Sequence, residues 1–362
     1  MHGDSVKNHT DVLIFHTTIC AGASQISLDG RRKLEICVAP SHKRFGMEMK
    51  MNFWKMMYVR WGREDISAWK SMKKAVYIIF PLLVYFLIHD AAQILSWAAL
   101  NQFLLASREE TVNFLNANGY TVQGIINGLA ILCGVAAIWQ AVKNEISWAE
   151  CKDVDKDKDQ EKCPSRDKIL EKAAKSGSCM TQKATAYMVL GAFSFCSALG
   201  LNVLFHLLGI TERSKSFTET ASAQFGVAFI VGLFLYGVLS PLAEEAVFRG
   251  LIFNRMKRCF HYPVALIVSS LLFGCYHGNM VQAVYGTILG IIITFVYERY
   301  ESFVAPVLFH GVANVCIFTI SYYNGFSSMN GWKGWIAAIV SFVGAGICFW
   351  RIKSFDLKER IS

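Results

Sequence analysis

Apolar residues come in runs of about 20 residues from residue 75 onward, the length that an α-helix needs to cross a bilayer. Shorter polar segments separate the runs. The first run continues to about residue 106, and a bend is expected near His89 and Asp90. The pattern predicts an all-α fold, a polytopic integral membrane protein with about eight transmembrane helices. The predicted spans are roughly 75–98, 122–142, 184–208, 222–242, 262–278, 280–298, 303–322 and 334–350.

Composition supports a membrane protein. Of the 362 residues 54% are hydrophobic and 17% charged, and the mean hydropathy is +0.35. These values are too apolar for an ordinary soluble domain. The formal net charge is +9. No groove-reading motif accompanies this charge, so we expect contact with membrane lipid and no nucleic-acid partner.

Basic residues also predict the orientation. Lys and Arg are dense in 43–74, in 143–183, around 255–258 and after residue 350. Cytoplasmic loops carry such an excess, so both termini are predicted to lie in the cytoplasm, at the cell membrane if the source is a prokaryote.

The same patterns divide the chain. The transmembrane domain is predicted over 75–351, with a charged cytoplasmic loop at 143–183. Residues 1–74 form a polar, basic N-terminal extension that is expected to be disordered or to lie on the membrane surface. Residues 352–362 form a basic tail.

Paired glutamates follow the fourth apolar run. Glu244, Glu245 and Arg249 lie in a segment otherwise suited to lipid, where ionisable groups are costly and usually serve a function. Glu245 and Arg249 are four residues apart on one helix face, which suits an ion pair. Glu244 points about 100° away from Glu245. Pro241 either starts a helix with Ser240 as its cap or lies within a longer, kinked one.

Two histidines and an asparagine lie on later apolar helices. Glu244 precedes the turn near residue 260 by about as many residues as His277 follows it, so an antiparallel hairpin brings the two level at ~1.5 Å per residue. His310 and Asn314 are four apart and project from one face of their helix. We therefore expect these four side chains to converge.

Peptide hydrolysis needs a base for water, a donor for the leaving amine and stabilisation of an oxyanion. Glu244 with His277 suits water activation, and His310 with Asn314 suits the oxyanion, while the Glu245–Arg249 pair would hold the glutamate helix in register. The alternative chemistry uses a divalent metal such as zinc, held by Glu244, His277 and His310 with Asn314 as a further ligand. The sequence leaves both mechanisms open.

The ordered motifs resemble the CPBP intramembrane protease family, also called Abi, which contains type II CAAX prenyl endopeptidases and bacteriocin-processing or immunity proteins. The resemblance covers about 222–322. It implies an eight-helix fold with a catalytic cavity open to the cytosol, with Glu244 and His277 as water activators and His310 and Asn314 as oxyanion stabilisers. The motifs are Glu244-Glu245-Ala-Val-Phe-Arg249, Phe273-Gly-Cys-Tyr-His277 and His310-Gly-Val-Ala-Asn314.

The predicted function is therefore an intramembrane endopeptidase, a CAAX endopeptidase-like hydrolase that acts on membrane-associated or lipidated peptide substrates. One alternative is a non-catalytic immunity or scaffold protein of the same fold. The other is a proton-coupled transporter with the acidic and histidine residues as a relay, although the sequence shows no inverted repeat.

Overall fold

A computed structural model describes the backbone of residues 71–154 and 166–355, and the side chains of 71–147 and 183–355. The predicted N-terminal extension lies outside these residues except for 71–74, which begin the first helix. Most of the C-terminal tail, 356–362, also lies outside them.

Every regular element in the described residues is helical, which confirms the predicted all-α class. Large apolar side chains are exposed along the outer helix faces, as they are where a protein meets lipid. The chain is therefore an integral membrane protein. The helices are α1 (Ser71–Leu105), α2 (Glu109–Ala117), α3 (Gly119–Val154), α4 (Arg166–Leu207), α5 (Lys215–Phe225), α6 (Phe229–Cys259), α7 (Tyr262–Tyr276), α8 (Met280–Tyr300), α9 (Val304–Tyr322) and α10 (Gly331–Ser354), with a short 3₁₀ turn at Gly325–Ser328.

Seven of the described helices are long and apolar enough to cross a bilayer, namely α1, α3, α4, α6, α8, α9 and α10. The remaining predicted span, 262–278, forms the shorter helix α7 of 15 residues. At 1.5 Å per residue α7 is about 22 Å long, less than the ~30 Å of the hydrocarbon core. The helix ends at its C-cap, His277. The length of this span was overestimated from the sequence because apolar composition does not mark the residue at which the helix ends.

Two further expectations need correction. The predicted loop 143–183 is helical over 143–154 and 166–183, because its Lys-, Glu- and Ala-rich ends continue α3 and α4. The predicted span at 222 begins instead at Phe229, after α5 has ended. Helix α1 is continuous through the position of the expected bend, where the His89 ring nitrogens contact Asp90 Oδ1 at 2.9 Å and Asn127 Oδ1 at 3.2 Å.

Helices α1, α3 and α6 pack around one apolar core, and α4, α8, α9 and α10 pack around another. The paired glutamates lie between these groups, since α6 also packs on α9. Helix α7 pairs with α8 and closes the side of the bundle next to the glutamates.

The helix ends define two ends of the bundle. At one end, Glu145 of α3 accepts from Arg255 Nε at 3.1 Å, lies 2.8 Å from Arg258 Nη2 and accepts from the Tyr77 hydroxyl at 2.9 Å. Lys257 pairs with Glu298 at 2.6 Å. We call this the basic end. At the opposite end, the His206 ring contacts Asn330 Oδ1 at 2.9 Å, and Thr121 Oγ1 accepts from the backbone N–H of Ala228 at 3.0 Å.

Candidate active site

Helix α6 carries the paired glutamates between two π-helical segments. Ser240–Glu245 is α-helical, and the π segments Leu235–Leu239 and Ala246–Phe253 lie before and after it. Such segments put an extra residue into a turn and are frequent at functional sites. Pro241 follows the first π segment within one continuous helix. Of the two alternatives for Pro241, a helix start or a position inside a longer helix, the second is observed.

Glu245 is fully buried and accepts two hydrogen bonds at one oxygen. Its Oε1 accepts from Arg249 Nη1 at 2.9 Å and from His310 Nδ1 at 2.7 Å. The pair with Arg249 is the one that the four-residue spacing predicts. The bond to His310 joins α6 to α9, and it fixes the orientation of the imidazole ring.

Arg249 makes two further contacts, with a backbone carbonyl and with an aromatic ring. Its Nη2 donates to the carbonyl of Gly290 in α8 at 3.0 Å, and its guanidinium lies 4.5 Å from the centre of the Phe273 ring. Because both charges of the pair are buried, these extra contacts offset part of the desolvation cost. The Glu245–Arg249 pair therefore holds three helices, α6, α8 and α9, around the site.

Glu244 presents one oxygen to both histidines. Its Oε1 accepts from the Ser240 hydroxyl. Its Oε2 is buried without a hydrogen-bond partner among the described residues. This atom lies 3.9 Å from His277 Nε2 and 3.8 Å from His310 Nε2. The structure thus brings Glu244, His277 and His310 together from α6, α7 and α9.

The partners of the two rings define which nitrogens carry protons. His277 Nδ1 lies 2.9 Å from the carbonyl oxygen of Phe273, which can only accept. His310 Nδ1 lies against the Glu245 carboxylate. Both Nδ1 atoms therefore donate, and in the neutral rings both Nε2 atoms direct a lone pair toward Glu244 Oε2. With both rings neutral, three acceptors therefore converge.

The spacing of these acceptors fits a bridging water. Distances of 3.8 and 3.9 Å are too long for direct hydrogen bonds, but a water at ~2.8 Å from each atom can donate to two of them. Zinc ligands at ~2.0 Å in tetrahedral geometry lie about 3.3 Å apart, so a metal would need the side chains to approach by about 0.5 Å. Among the described residues, no group of three or more His, Cys, Asp or Glu is arranged to hold a metal ion.

Asn314 lies one turn beyond His310 but bonds elsewhere. Its side-chain nitrogen donates to the carbonyl oxygen of Tyr236 at 3.0 Å, within the first π segment of α6. One amide hydrogen is thus used to join α9 to α6, and one remains for a ligand. The predicted role of Asn314 at an oxyanion stays a prediction.

Two residues that support the catalytic side chains were not predicted to do so from the sequence. The Phe273 ring lies edge to face with the His277 and His310 rings, at centroid distances of 5.1 and 5.6 Å. It therefore fills the space behind both imidazoles. Ser240 lies four residues before Glu244, and this spacing is a signal that could have predicted its hydrogen bond.

Glycines allow the helices that carry these residues to approach closely. A Cβ on Gly311 would lie 2.8 Å from the carbonyl oxygen of Gly237, at the contact of α9 with α6. A Cβ on Gly274 would collide with the Ala283 carbonyl and the Thr287 side chain of α8. The helices that carry the site residues therefore pack too closely to accept even a methyl group at these two positions.

Comparison with known proteins supports the resemblance. Residues 226–316 match the family model described as Type II CAAX prenyl endopeptidase Rce1-like. The chain is 24% identical to the "Putative membrane peptidase YdiL" of Bacillus subtilis over 34% of this chain and 50% of that protein. It is 32% identical to the UPF0177 protein YxdF of Lactococcus lactis subsp. lactis over 30% of this chain and 65% of that protein. The chain thus spans half to two thirds of the length of these relatives, and no solved structure matches it.

Proposed function

We propose, from the match of residues 226–316 to the family model described as Type II CAAX prenyl endopeptidase Rce1-like, that the protein is an intramembrane endopeptidase. Its substrates are membrane-associated or lipidated peptides. The observation that carries the proposal is the convergence of His277 and His310 on the unpartnered Glu244 Oε2, at 3.9 and 3.8 Å.

The reaction begins with a water held at Glu244 Oε2 and His277 Nε2. The water oxygen attacks the carbonyl carbon of the scissile bond, and one water proton passes to the Glu244 carboxylate, the general base. When the C–N bond breaks, this proton is delivered to the leaving amine by Glu244 or through His277. The protons thus balance with no other reactant than water.

His310 and Asn314 are placed for the opposite role. For this role His310 is in its protonated form rather than in the neutral form described above, with Nδ1 donating to Glu245 and Nε2 donating to the oxyanion of the tetrahedral intermediate. The ring takes up this proton from solvent before the reaction and keeps it, so the balance of the water protons is unchanged. The second amide hydrogen of Asn314, one helical turn away, is the other donor. Arg249 contributes by holding Glu245, without contact with the substrate.

A divalent metal is the competing description of the same residues. Glu244, His277 and His310 are of the ligand types that zinc prefers, but their separations suit water without movement. We therefore propose the water mechanism.

The test is hydrolysis by purified protein in lipid vesicles. We expect cleavage of peptides from a quenched-fluorescence library, with one ¹⁸O from labelled water in each new carboxyl group. Glu244→Ala, His277→Ala and His310→Ala should each abolish cleavage while the protein still inserts and folds. Lack of cleavage by the wild-type protein, or a protective phenotype that survives all three substitutions, would instead favour a non-catalytic immunity or scaffold role.

A further inference from the structure

A cavity of about 270 Å³ lies at the end of the bundle opposite the basic end. It is formed by the last turns of α4 and α9, by α5 and by the turn at 324–327. None of the residues that line the cavity has so far been assigned a role in catalysis. Its walls include Asn202, His206, Phe217, Phe225, Ile317 and Ser321.

One face of α9 connects this cavity to the catalytic residues. His310, Asn314, Ile317 and Ser321 are spaced by four, three and four residues, so they form a single stripe along the helix. The distance along the axis is about 10 Å from His310 to Ile317 and about 16 Å to Ser321. A ligand that lies along this stripe reaches both the site and the cavity.

The α4 side of the cavity also leads toward the site. Asn202 donates to the Tyr285 hydroxyl in α8 at 3.0 Å. The next residue, Gly286, lies against His277, since a Cβ there would be 3.5 Å from the His277 Nδ1 atom. His277 is also the most exposed of the three converging side chains, at 22% of its side-chain surface against 10% for Glu244 and 6% for His310. His277 is thus the most exposed edge of the site.

The chemistry of the walls selects the ligand. The described lining residues include amide, hydroxyl and imidazole groups but no Asp, Glu, Lys or Arg. The Phe217, Phe225 and Phe326 rings supply apolar surface. Neutral hydrogen-bonding groups next to aromatic rings suit a peptide backbone with a large uncharged side chain.

We infer that this cavity is a substrate subsite that receives a large uncharged side chain about three to five residues from the scissile bond. An extended peptide spans ~3.3 Å per residue, so the 10–16 Å between His310 and the cavity corresponds to that number of residues. The inference rests on the proposed function, because the stripe matters only if a peptide bond is cleaved at the Glu244 centre.

The test uses Ser321→Trp, which fills the cavity, and Ser216→Trp as the matched control. Ser216 is exposed on α5, next to Phe217 but on the outer face. Both are made in wild-type protein, for cleavage, and in Glu244→Gln protein, for binding without turnover. The probe is a set of quenched-fluorescence peptides in which each position is varied separately between Phe, Ala, Asp and Lys, with the protein in lipid vesicles.

We expect wild-type protein to prefer Phe at one position three to five residues from the cleaved bond. Ser321→Trp should remove this preference and raise KM for the Phe peptide about 10-fold or more, with kcat within about twofold, and Ser216→Trp should change neither. Binding to Glu244→Gln protein should weaken by the same factor. Cleavage whose selectivity and KM are unaffected by Ser321→Trp would overturn the subsite while the proposed function stands. Absence of cleavage by the wild-type protein would overturn the proposed function and the subsite with it, whether or not binding depends on Ser321.

Discussion

His310 is held by Glu245 rather than by Glu244, through a contact of 2.7 Å between Nδ1 and Oε1. The two adjacent glutamates therefore do different work. Glu245 uses Oε1 to bind Arg249 and to orient the His310 ring, and Glu244 presents Oε2 to the Nε2 atoms of both histidines. Oε2 of each glutamate lacks a hydrogen-bond partner among the described residues, so it is the position beside both histidines that suits Glu244 to hold a water. Glu245 is thus a positioning residue, and this separation of roles leads to the first prediction.

Glu245→Gln should lower both stability and activity. Removing one charge of a buried pair leaves Arg249 uncompensated, which costs about 3–5 kcal/mol of unfolding free energy. In the double variant Glu245→Gln/Arg249→Met both charges of this ion pair are removed together, so stability should recover in part. Activity should not recover, because His310 lacks its carboxylate partner. Thermal unfolding in detergent and kcat measured on the same preparations test this. A double variant that regains kcat together with stability would reduce Glu245 to a structural residue.

Gly274→Ala should impair catalysis through the packing of α7 on α8. The added Cβ collides with the Ala283 carbonyl, which belongs to backbone, so α7 must move and carry His277 with it. Overpacking of this kind costs about 1–3 kcal/mol. The matched control is Gly346→Ala in α10, where no atom lies within 4 Å of the new Cβ. The control should keep full activity and gain about 0.5–1 kcal/mol from the helix preference of Ala. Equal activity of the two variants would show that the α7–α8 distance does not position His277.

The basic end should face the cytoplasm. In a variant whose natural cysteines are replaced by serine, Ser302→Cys reports on the basic end and Ser327→Cys on the opposite end. We expect a membrane-impermeant maleimide to label only the second in intact cells, because positively charged loops are retained in the cytoplasm. Labelling of Ser302→Cys alone would reverse the orientation and place the basic end outside the cytoplasm.

Chelation should leave activity unchanged. The water mechanism needs no metal at Glu244, His277 and His310, so dialysis of the active protein against a chelator should preserve the turnover rate, and elemental analysis should find less than one zinc per chain. A rate that is lost on dialysis and returns with zinc would show that the three side chains close around a metal.

The sequence predicted the parts of the site that follow from helix periodicity. The Glu245–Arg249 pair follows from a four-residue spacing, and the meeting of Glu244 with His277 follows from equal distances to one turn. The bond from Glu245 to His310 could not be predicted, because it depends on the rotation of α9 relative to α6. Nor could the use of the Tyr236 carbonyl by Asn314, which lies in a π-helical segment that no residue pattern marks.

The membrane fold was predictable for a similar reason. Length and hydropathy of each run identify a span, and seven of the eight predicted spans are helices long enough to cross. The exception, α7, is shorter than its apolar composition suggests, and the charged segment is helical over 143–154 and 166–183, where charge alone suggested a loop. Composition reports the environment of a segment, whereas helix ends depend on local backbone bonds and on neighbouring helices.

The most direct test of the account compares Glu244→Gln with Glu298→Gln in lipid vesicles. Both substitutions remove one carboxylate charge, but Glu298 pairs with Lys257 at the basic end, away from the histidines. Loss of the general base predicts that Glu244→Gln lowers kcat by about 10²–10⁴-fold, with unchanged folding, and that Glu298→Gln remains within about twofold of wild type. Wild-type turnover by folded Glu244→Gln protein would contradict the central claim.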